Sequence, residues 1–216
     1  MSGSYVKIGK GAKGADYASP YVSLAQLKKD GVTYVCRYID GTASTTNPTW
    51  KTLTKRERAL IAANGLACVL VFEVSADRPL KGAVQGAADG RAACQDAYWL
   101  GYDPHCPIVI AVDTDVTAGN IKAVEAYVRA FAKAAAPYPI GVYGDYDIID
   151  RVQDISQLNW QANAWGWSAL RVLGKWLKRN HKAAHVLQQS QTATAAGVID
   201  PAVTVREFVA WFPPKG

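Results

Sequence analysis

The chain has 216 residues, of which 50% are hydrophobic and 19% are charged, and its formal net charge is +6 with a pI near 9.1. These values are those of an ordinary globular protein, and we expect one domain with a sizeable core over residues 1–216. No apolar run reaches the ~18 residues that a membrane-spanning helix needs, so we expect no membrane partner. Residues 1–11 are predicted to be a flexible N-terminus without the apolar stretch of a secretory signal.

The positive charge is spread along the chain rather than gathered in a nucleic-acid-binding motif. Its densest runs, residues 51–58 and 175–182, are typical of solvated helix faces. The charge suits an ordinary basic enzyme, or one that meets a polyanion such as an anionic cell wall. We therefore expect no nucleic-acid partner.

The four cysteines offer no metal or redox motif. Cys36, Cys68, Cys94 and Cys106 form no CxxC pair, and no histidine stands at metal-ligand spacing from them. We expect buried, reduced thiols, with no metal and no cofactor. The sequence also contains no GxSxG, P-loop or HExxH motif.

Strand-like and helix-like segments alternate along most of the chain. Predicted strands cover residues 14–17, 32–39, 67–74, 108–115, 140–143, 159–164, 185–189 and 198–200. Predicted helices cover residues 24–29, 54–64, 80–101, 120–135, 169–180 and 205–211. This alternation predicts an α/β fold with a parallel sheet, and eight strands predict a small single-domain (β/α)8 TIM-like barrel with reduced helices in the C-terminal third. A doubly wound open sheet is the alternative.

The run at residues 108–115 ends in two carboxylates, Asp113 and Asp115. Residues i and i+2 of a strand point to the same side, roughly 7 Å apart. The two acids should therefore share one face at the carboxyl end of a buried strand, where barrels and open α/β sheets carry their chemistry. A helix cap plus a solvated acid is the structural alternative.

Polar side chains also end the other predicted strands. They are Asp16, Arg37, Tyr38, Asp40, Glu73, Tyr143, Asp145, Gln161, Asn163, Gln188 and Asp200. In a barrel these groups would converge in one mouth, although Asp145 and Asp200 could instead cap helices, and Glu73 could pair with Arg37 as a buried acid.

Paired acids and aromatic rings at these positions point to glycan chemistry. Two acids that share a face repel each other, so one should keep its proton near neutral pH, which provides the acid and the base of glycoside hydrolysis. Tyrosine and tryptophan rings stack on sugars while keeping a polar handle, and several lie at predicted strand ends. They are Tyr17, Tyr38, Tyr143, Trp160 and Trp165. The small polar loop at residues 41–48 would lie over the mouth as a lid.

Several motifs together resemble the glycoside hydrolase-like domain family, formerly domain of unknown function 1906. The motifs are Gly14-Ala15-Asp16-Tyr17, Cys36-Arg37-Tyr38-Ile39, Leu53-Thr54, Gly65-Leu66, Val71-Phe72-Glu73, Ala88-Asp89-Gly90, Ala111-Val112-Asp113-Thr114-Asp115 and Gly141-Val142-Tyr143-Gly144. That family is distantly similar to the family-25 muramidases of phage endolysins. The resemblance implies a TIM-like barrel that hydrolyses, or only binds, cell-wall peptidoglycan.

The resemblance also implies roles for single residues. The muramidases carry Asp-x-Glu on the fourth strand with the glutamate as general acid, and the matching position here is Asp115, one methylene shorter. The proton donor is then Asp115 or Glu73, while Asp113 stabilises the transition state and Arg37 tunes the acids. The implied catalytic set is Asp16, Glu73, Asp113 and Asp115. The implied substrate-binding set is Arg37, Tyr38, Tyr143, Gln161, Trp165, Gln188 and Asp200.

Cell-wall glycan is thus the expected partner of a monomer made in the cytoplasm. It would reach the wall after release by lysis or as a virion component. A catalytically inactive glycan-binding barrel is the alternative function.

Overall fold

The computed structural model describes residues 4–19, 21–163, 169–172, 175–178 and 180–214, of which 169–172 and 175–178 are described by their backbone. The strands are β1 Ser4–Ile8, β2 Lys13–Asp16, β3 Val32–Ile39, β4 Ala67–Phe72, β5 Ile108–Ala111, β6 Ile140–Gly144, β7 Ser156–Gln161, β8 Ala169–Val172, β9 Lys175–Lys178, β10 Val186–Gln188, β11 Thr192–Thr194, β12 Gly197–Thr204 and β13 Phe208–Phe212. The helices are α1 Leu24–Lys29, α2 Lys55–Ala63, α3 Gly82–Leu100, α4 Ile121–Ala134 and α5 Tyr146–Val152, with a 3₁₀ helix at Arg78–Lys81.

Eight of the strands close into a barrel in the order β2, β3, β4, β5, β6, β7, β10 and β12, with β12 returning to β2. This confirms the predicted single-domain TIM-like barrel and excludes the open doubly wound sheet. Seven strands of the barrel are parallel to one another, namely β2, β3, β4, β5, β6, β7 and β10. The eighth strand, β12, is antiparallel to both of its neighbours, β10 and β2. Residues 189–196, which include β11, are too few for the crossover helix that a parallel connection needs.

The apolar side chains form two layers, because successive residues of a strand point to opposite faces. Val35, Ile39 and Ile110 belong to the outer layer between strands and helices. Cys36 and Val71 belong to the inner layer that fills the barrel. This alternation decides which strand-end side chains enter the mouth.

The helices that the sequence signals predicted before residue 153 are confirmed within a few residues. Thr54 caps α2 as expected, since its hydroxyl accepts a hydrogen bond from the backbone N–H of Glu57 at 3.2 Å. Within the described residues, no helix combines the length and the apolar character that crossing a membrane requires. Cys36, Cys68 and Cys106 are buried, and the thiols are free as predicted.

The C-terminal third differs from the prediction. The helix predicted at residues 169–180 is wrong, since β8 and β9 form an antiparallel hairpin there. The helix predicted at residues 205–211 is also wrong, because β13 pairs antiparallel with β1. β1 lies within the N-terminal segment that was expected to be flexible. The sequence of β13, FVAWF, is rich in the aromatic and β-branched residues that favour strands.

Candidate active site at the carboxyl ends of the barrel strands

A pocket of about 380 Å³, partly continuous with solvent, lies at the carboxyl ends of the parallel strands. Its lining residues are Asp16, Tyr38, Val71, Glu73, Ala111, Asp113, Tyr143, Trp160, Gln188 and Asp200. β12 supplies Asp200 from its N-terminal half, because this strand runs in the opposite direction. The pocket therefore collects four carboxyl groups, two from the strands β2 and β12 and two from the segments that follow β4 and β5.

Asp16 is the most deeply buried of these four acids, with 5% of its surface exposed. Its Oδ2 accepts a hydrogen bond from the Tyr38 hydroxyl at 2.7 Å, and its Oδ1 has no hydrogen-bond partner among the described residues. Burial raises the pKa of the Asp16 carboxyl to about 7, with smaller upward contributions from Asp200 and Glu73, while Tyr38 and Arg37 act in the opposite direction. Asp16 is therefore an acid that exchanges its proton near neutral pH.

Glu73 forms an ion pair with a lysine that the sequence analysis assigned to a solvated helix face. The Nζ of Lys51 lies 3.0 Å from Glu73 Oε2, and each of the two side chains is 17% exposed. The same ammonium lies 5.2 Å from the centroid of the Tyr38 ring. The helix α2 begins only at Lys55, so Lys51 belongs to the connection that follows β3, and connections at this end of the barrel border the pocket.

Asp113 and Asp200 complete the acidic lining, and both are half-buried. Burial raises the pKa of Asp113, the negative charges of Glu73 and Asp200 raise it further, and Lys51 lowers it. Burial also raises the pKa of Asp200, opposed by a hydrogen bond from Gln191. Asp200 lies within β12, so it is not the helix cap that we considered, whereas Asp145 is the N-cap of α5.

Tyr143, Gln188 and Trp160 form the aromatic wall of the pocket, which β6, β10 and β7 supply. The Tyr143 hydroxyl donates to Gln188 Oε1 at 2.9 Å, and its ring packs edge-to-face on Trp160 with centroids 4.9 Å apart. Trp160 is 2% exposed, and its indole N–H has no hydrogen-bond partner among the described residues. Trp160 was absent from the predicted substrate-binding set, although its neighbour Gln161 was included.

Asp115 is the first predicted site residue that the structure leaves out of the pocket. β5 ends at Ala111. Asp113 follows closely enough to keep the inward direction set by the strand, whereas residue 115 lies four positions beyond the strand end and is no longer bound by the two-residue alternation. Asp115 is exposed, and its backbone carbonyl accepts a hydrogen bond from Asn120 at 2.8 Å. The expectation that Asp113 and Asp115 share one face of a strand is therefore wrong.

Arg37 and Gln161 face away from the pocket, contrary to the prediction. Arg37 is fully buried in the outer layer and pairs with Glu57 at 2.6 Å, not with Glu73. Its charge still lowers the pKa of Asp16, which agrees with the expected tuning of the acids. Gln161 accepts a hydrogen bond from the backbone N–H of His181 at 2.7 Å. Trp165 lies outside the described residues.

Tyr17 also lies away from the pocket, since its hydroxyl donates to Glu57 at 3.1 Å. Within the described part of the chain, no group of three or more His, Cys, Asp or Glu side chains has the arrangement of a metal site.

The sequence of this chain matches a family model. The family model of the Rv2525c-like, glycoside hydrolase-like domain matches residues 25–204. The chain belongs to this family. A search of curated proteins found no match.

Solved structures share the fold of this glycoside hydrolase-like chain at low sequence identity. The Tat-secreted protein Rv2525c of Mycobacterium tuberculosis, solved in complex with HEPES, is 20% identical with a TM-score of 0.73 over 90% of this chain and 96% of that one. A muramidase from Acremonium alcalophilum is 13% identical with a TM-score of 0.61 over 89% and 93%. The autolysin LytC of Streptococcus pneumoniae, in complex with a synthetic peptidoglycan ligand, is 12% identical with a TM-score of 0.59 over 89% of this chain and 46% of its own.

Proposed function

We propose that this chain is a glycosidase that hydrolyses bacterial peptidoglycan with the carboxyl groups of the barrel mouth. The observation that carries the proposal is the meeting of Asp16 and Glu73 in one pocket. Asp16 has a pKa of about 7 because it is buried, whereas Glu73 is ion-paired with Lys51. Glycoside hydrolysis requires one carboxyl that gives a proton and one that acts as an anion, and their different environments provide this division.

The proton donor in this proposal is Asp16, not Asp115. Oδ2 of Asp16 accepts from Tyr38, so the proton of the neutral acid is carried by Oδ1, which is buried beside the pocket. Glu73 is the base or nucleophile of the pair. Asp113, which borders the same pocket, stabilises the positive charge that develops on the sugar ring.

Peptidoglycan is the proposed substrate because the pocket combines acids with aromatic rings and the fold is shared with a muramidase and with an autolysin bound to a peptidoglycan ligand. Tyr143 and Trp160 border the pocket with aromatic rings, and the Tyr143 hydroxyl, which donates to Gln188, can accept from a sugar hydroxyl. In the same proposal the protein acts as a monomer and meets the cell wall after release by lysis or as a virion component.

A glycan-binding barrel without turnover is the second candidate. The observation that favours it is Asp115, which stands where the resemblance places the glutamate of the muramidases and which is exposed outside the pocket. A pocket that lacks an acid from that position would keep the aromatic wall and the acidic lining, and both could still bind a glycan.

Purified peptidoglycan separates the two candidates when reducing ends and pelleted protein are measured together. We expect the wild type to release reducing ends, and we expect Asp16→Asn and Glu73→Gln to lose on the order of 100-fold or more in rate, as general acids and bases do. Asp115→Asn is the matched control and should stay within about twofold of the wild type, since this side chain is outside the pocket.

Loss of activity in Asp115→Asn with full activity in Asp16→Asn would contradict the assignment of the acid. Co-sedimentation of the wild type without released reducing ends would support the binding barrel instead.

A further inference from the structure

Lys51 is held beside the pocket by contacts at its backbone as well as at its ammonium. The buried guanidinium of Arg37 donates to the Lys51 carbonyl at 3.1 Å. Two residues on, the backbone N–H of Leu53 donates to the Tyr38 carbonyl at 2.8 Å, and the Leu53 side chain is fully buried. An exposed lysine with a mobile stem makes no such fixed approach to a carboxylate.

The connection that precedes Lys51 is itself anchored at two acids. Asp96 of α3 accepts a hydrogen bond from the backbone N–H of Gly41 at 2.7 Å. Asp40 accepts from the hydroxyls of Thr42 and Thr49. Residues 41–48, which we expected to act as a lid, are thus tied to the barrel at their start. The chain after β3 is built to deliver Lys51 to a defined place.

The charge balance of the pocket depends on this lysine. Four carboxyl groups line the pocket, and among the described residues Lys51 is the only lysine or arginine with a nitrogen within 4.0 Å of one of them. The negative charge of Glu73 raises the pKa of three groups that border the pocket. They are Asp16 on β2, Tyr38 on β3 and Asp113 after β5. The counter-charge of Lys51 also reaches Asp113, whose pKa it lowers.

We propose that Lys51 is a positioning residue of the active site, which holds the Glu73 carboxylate in place at the pocket for the proposed hydrolysis on which this inference rests. Lys51 forms its ion pair with Glu73, and we expect this pair to carry most of its effect on the reaction. Its removal should slow the chemical step and leave substrate binding nearly unchanged, because the ion pair does not contribute to the aromatic wall.

Steady-state kinetics on soluble peptidoglycan fragments with a double-mutant cycle test this role. Lys51→Met should lower kcat by about 10- to 100-fold with KM changed by less than about threefold, and Lys51→Arg should restore part of the rate because it keeps the charge. In a Glu73→Gln background, Lys51→Met should cost less than about twofold more, since the group through which it acts is gone. The matched control is Lys55→Met, whose ammonium lies over Trp99 and outside the pocket.

Two kinetic results would overturn the proposal. A raised KM with unchanged kcat would make Lys51 a substrate-binding residue, and full additivity with Glu73→Gln would show that the two side chains act independently.

If the wild type releases no product, the proposed function fails, and the electrostatic part is tested by carboxyl NMR titration. The Asp113 signal, which Lys51, Glu73 and Asp200 all affect, should titrate at higher pH in Lys51→Met than in Lys55→Met. An unchanged Asp113 titration in a folded Lys51→Met variant would overturn the inference on its own.

Discussion

Asp16 shows how one residue can be costly to the fold and still useful. Burial removes the water that would stabilise its charge, and one carboxylate oxygen has no hydrogen-bond partner among the described residues. A buried acid of this kind is expected where a site must keep a proton near neutral pH. Asp16 is therefore predicted to lower stability in the pH range in which the proposed enzyme needs it.

Replacement of Asp16 by asparagine should stabilise the protein in a pH-dependent way. The folded pKa of about 7 exceeds the unfolded value of ~3.9, so between these two pH values the wild type takes up a proton on folding, and its stability falls as pH rises from about 4 to about 7. The gain in unfolding free energy from Asp16→Asn should therefore grow by about 3 kcal/mol between about pH 4.5 and pH 8. Urea unfolding at both pH values measures it. A gain that is equal at both, or that matches the exposed control Asp115→Asn, would refute the assignment.

The positions of the strand ends identified most of the pocket. The wrong assignments of Arg37 and Gln161 to the pocket have one physical cause. Tyr38 and Arg37 are consecutive residues of β3, so the two-residue alternation allows only one of them to face the barrel interior. Trp160 and Gln161 are related in the same way on β7. The sequence contained this signal, but it did not contain the end of β5 at Ala111, which is decided by tertiary contacts.

At the scale of elements, the close approach of α3 to α4 depends on small residues in the alanine-rich helix. A Cβ added at Gly86 would lie 2.2 Å from the carbonyl oxygen of Tyr127 on α4, and one at Gly90 would lie 2.5 Å from that of Phe131. Backbone atoms cannot yield as a side chain does, so these two glycines set the distance between the helices.

Gly86→Ala should therefore destabilise the protein by about 2–3 kcal/mol, although alanine favours helix more than glycine does. Thermal or urea unfolding measures the change. Gly9→Ala is the matched control, because nothing lies within 4 Å of the position of its added Cβ. Equal stability of the two variants would mean that α3 and α4 do not pack as closely as the structure has them.

Apart from β1, the elements of the first two thirds were predictable because their local signals agree with one another. Capping residues, glycines and hydrophobic periodicity all mark the same boundaries for α1 and α2. In the last third, short strands pair with distant partners, as β13 does with β1, and such pairing leaves no periodic signal in the chain. The antiparallel direction of β12 is a consequence of the short connection before it.

At the scale of the whole molecule, barrel closure brings the acids together. Asp16 and Asp200 are 184 positions apart in sequence, yet they are partners in the register of β2 and β12. Glu73 and Asp113 follow the adjacent strands β4 and β5 on the other side of the ring. A (β/α)8 barrel places such residues at one mouth whatever their separation along the chain. Most of the predicted residues therefore converged even though they were chosen separately, whereas Asp115, Arg37 and Gln161 did not.

The pH dependence of reducing-end release from purified peptidoglycan tests the proposed acid most directly. The rate of the wild type should fall as pH rises through about 7, because Asp16 then loses the proton that it must donate. Below about pH 7, Asp16→Asn should be slower than the wild type by on the order of 100-fold, and its pH profile should lack this alkaline limb. An Asp16→Asn variant with the rate and the pH profile of the wild type would contradict the assignment of Asp16 as the proton donor.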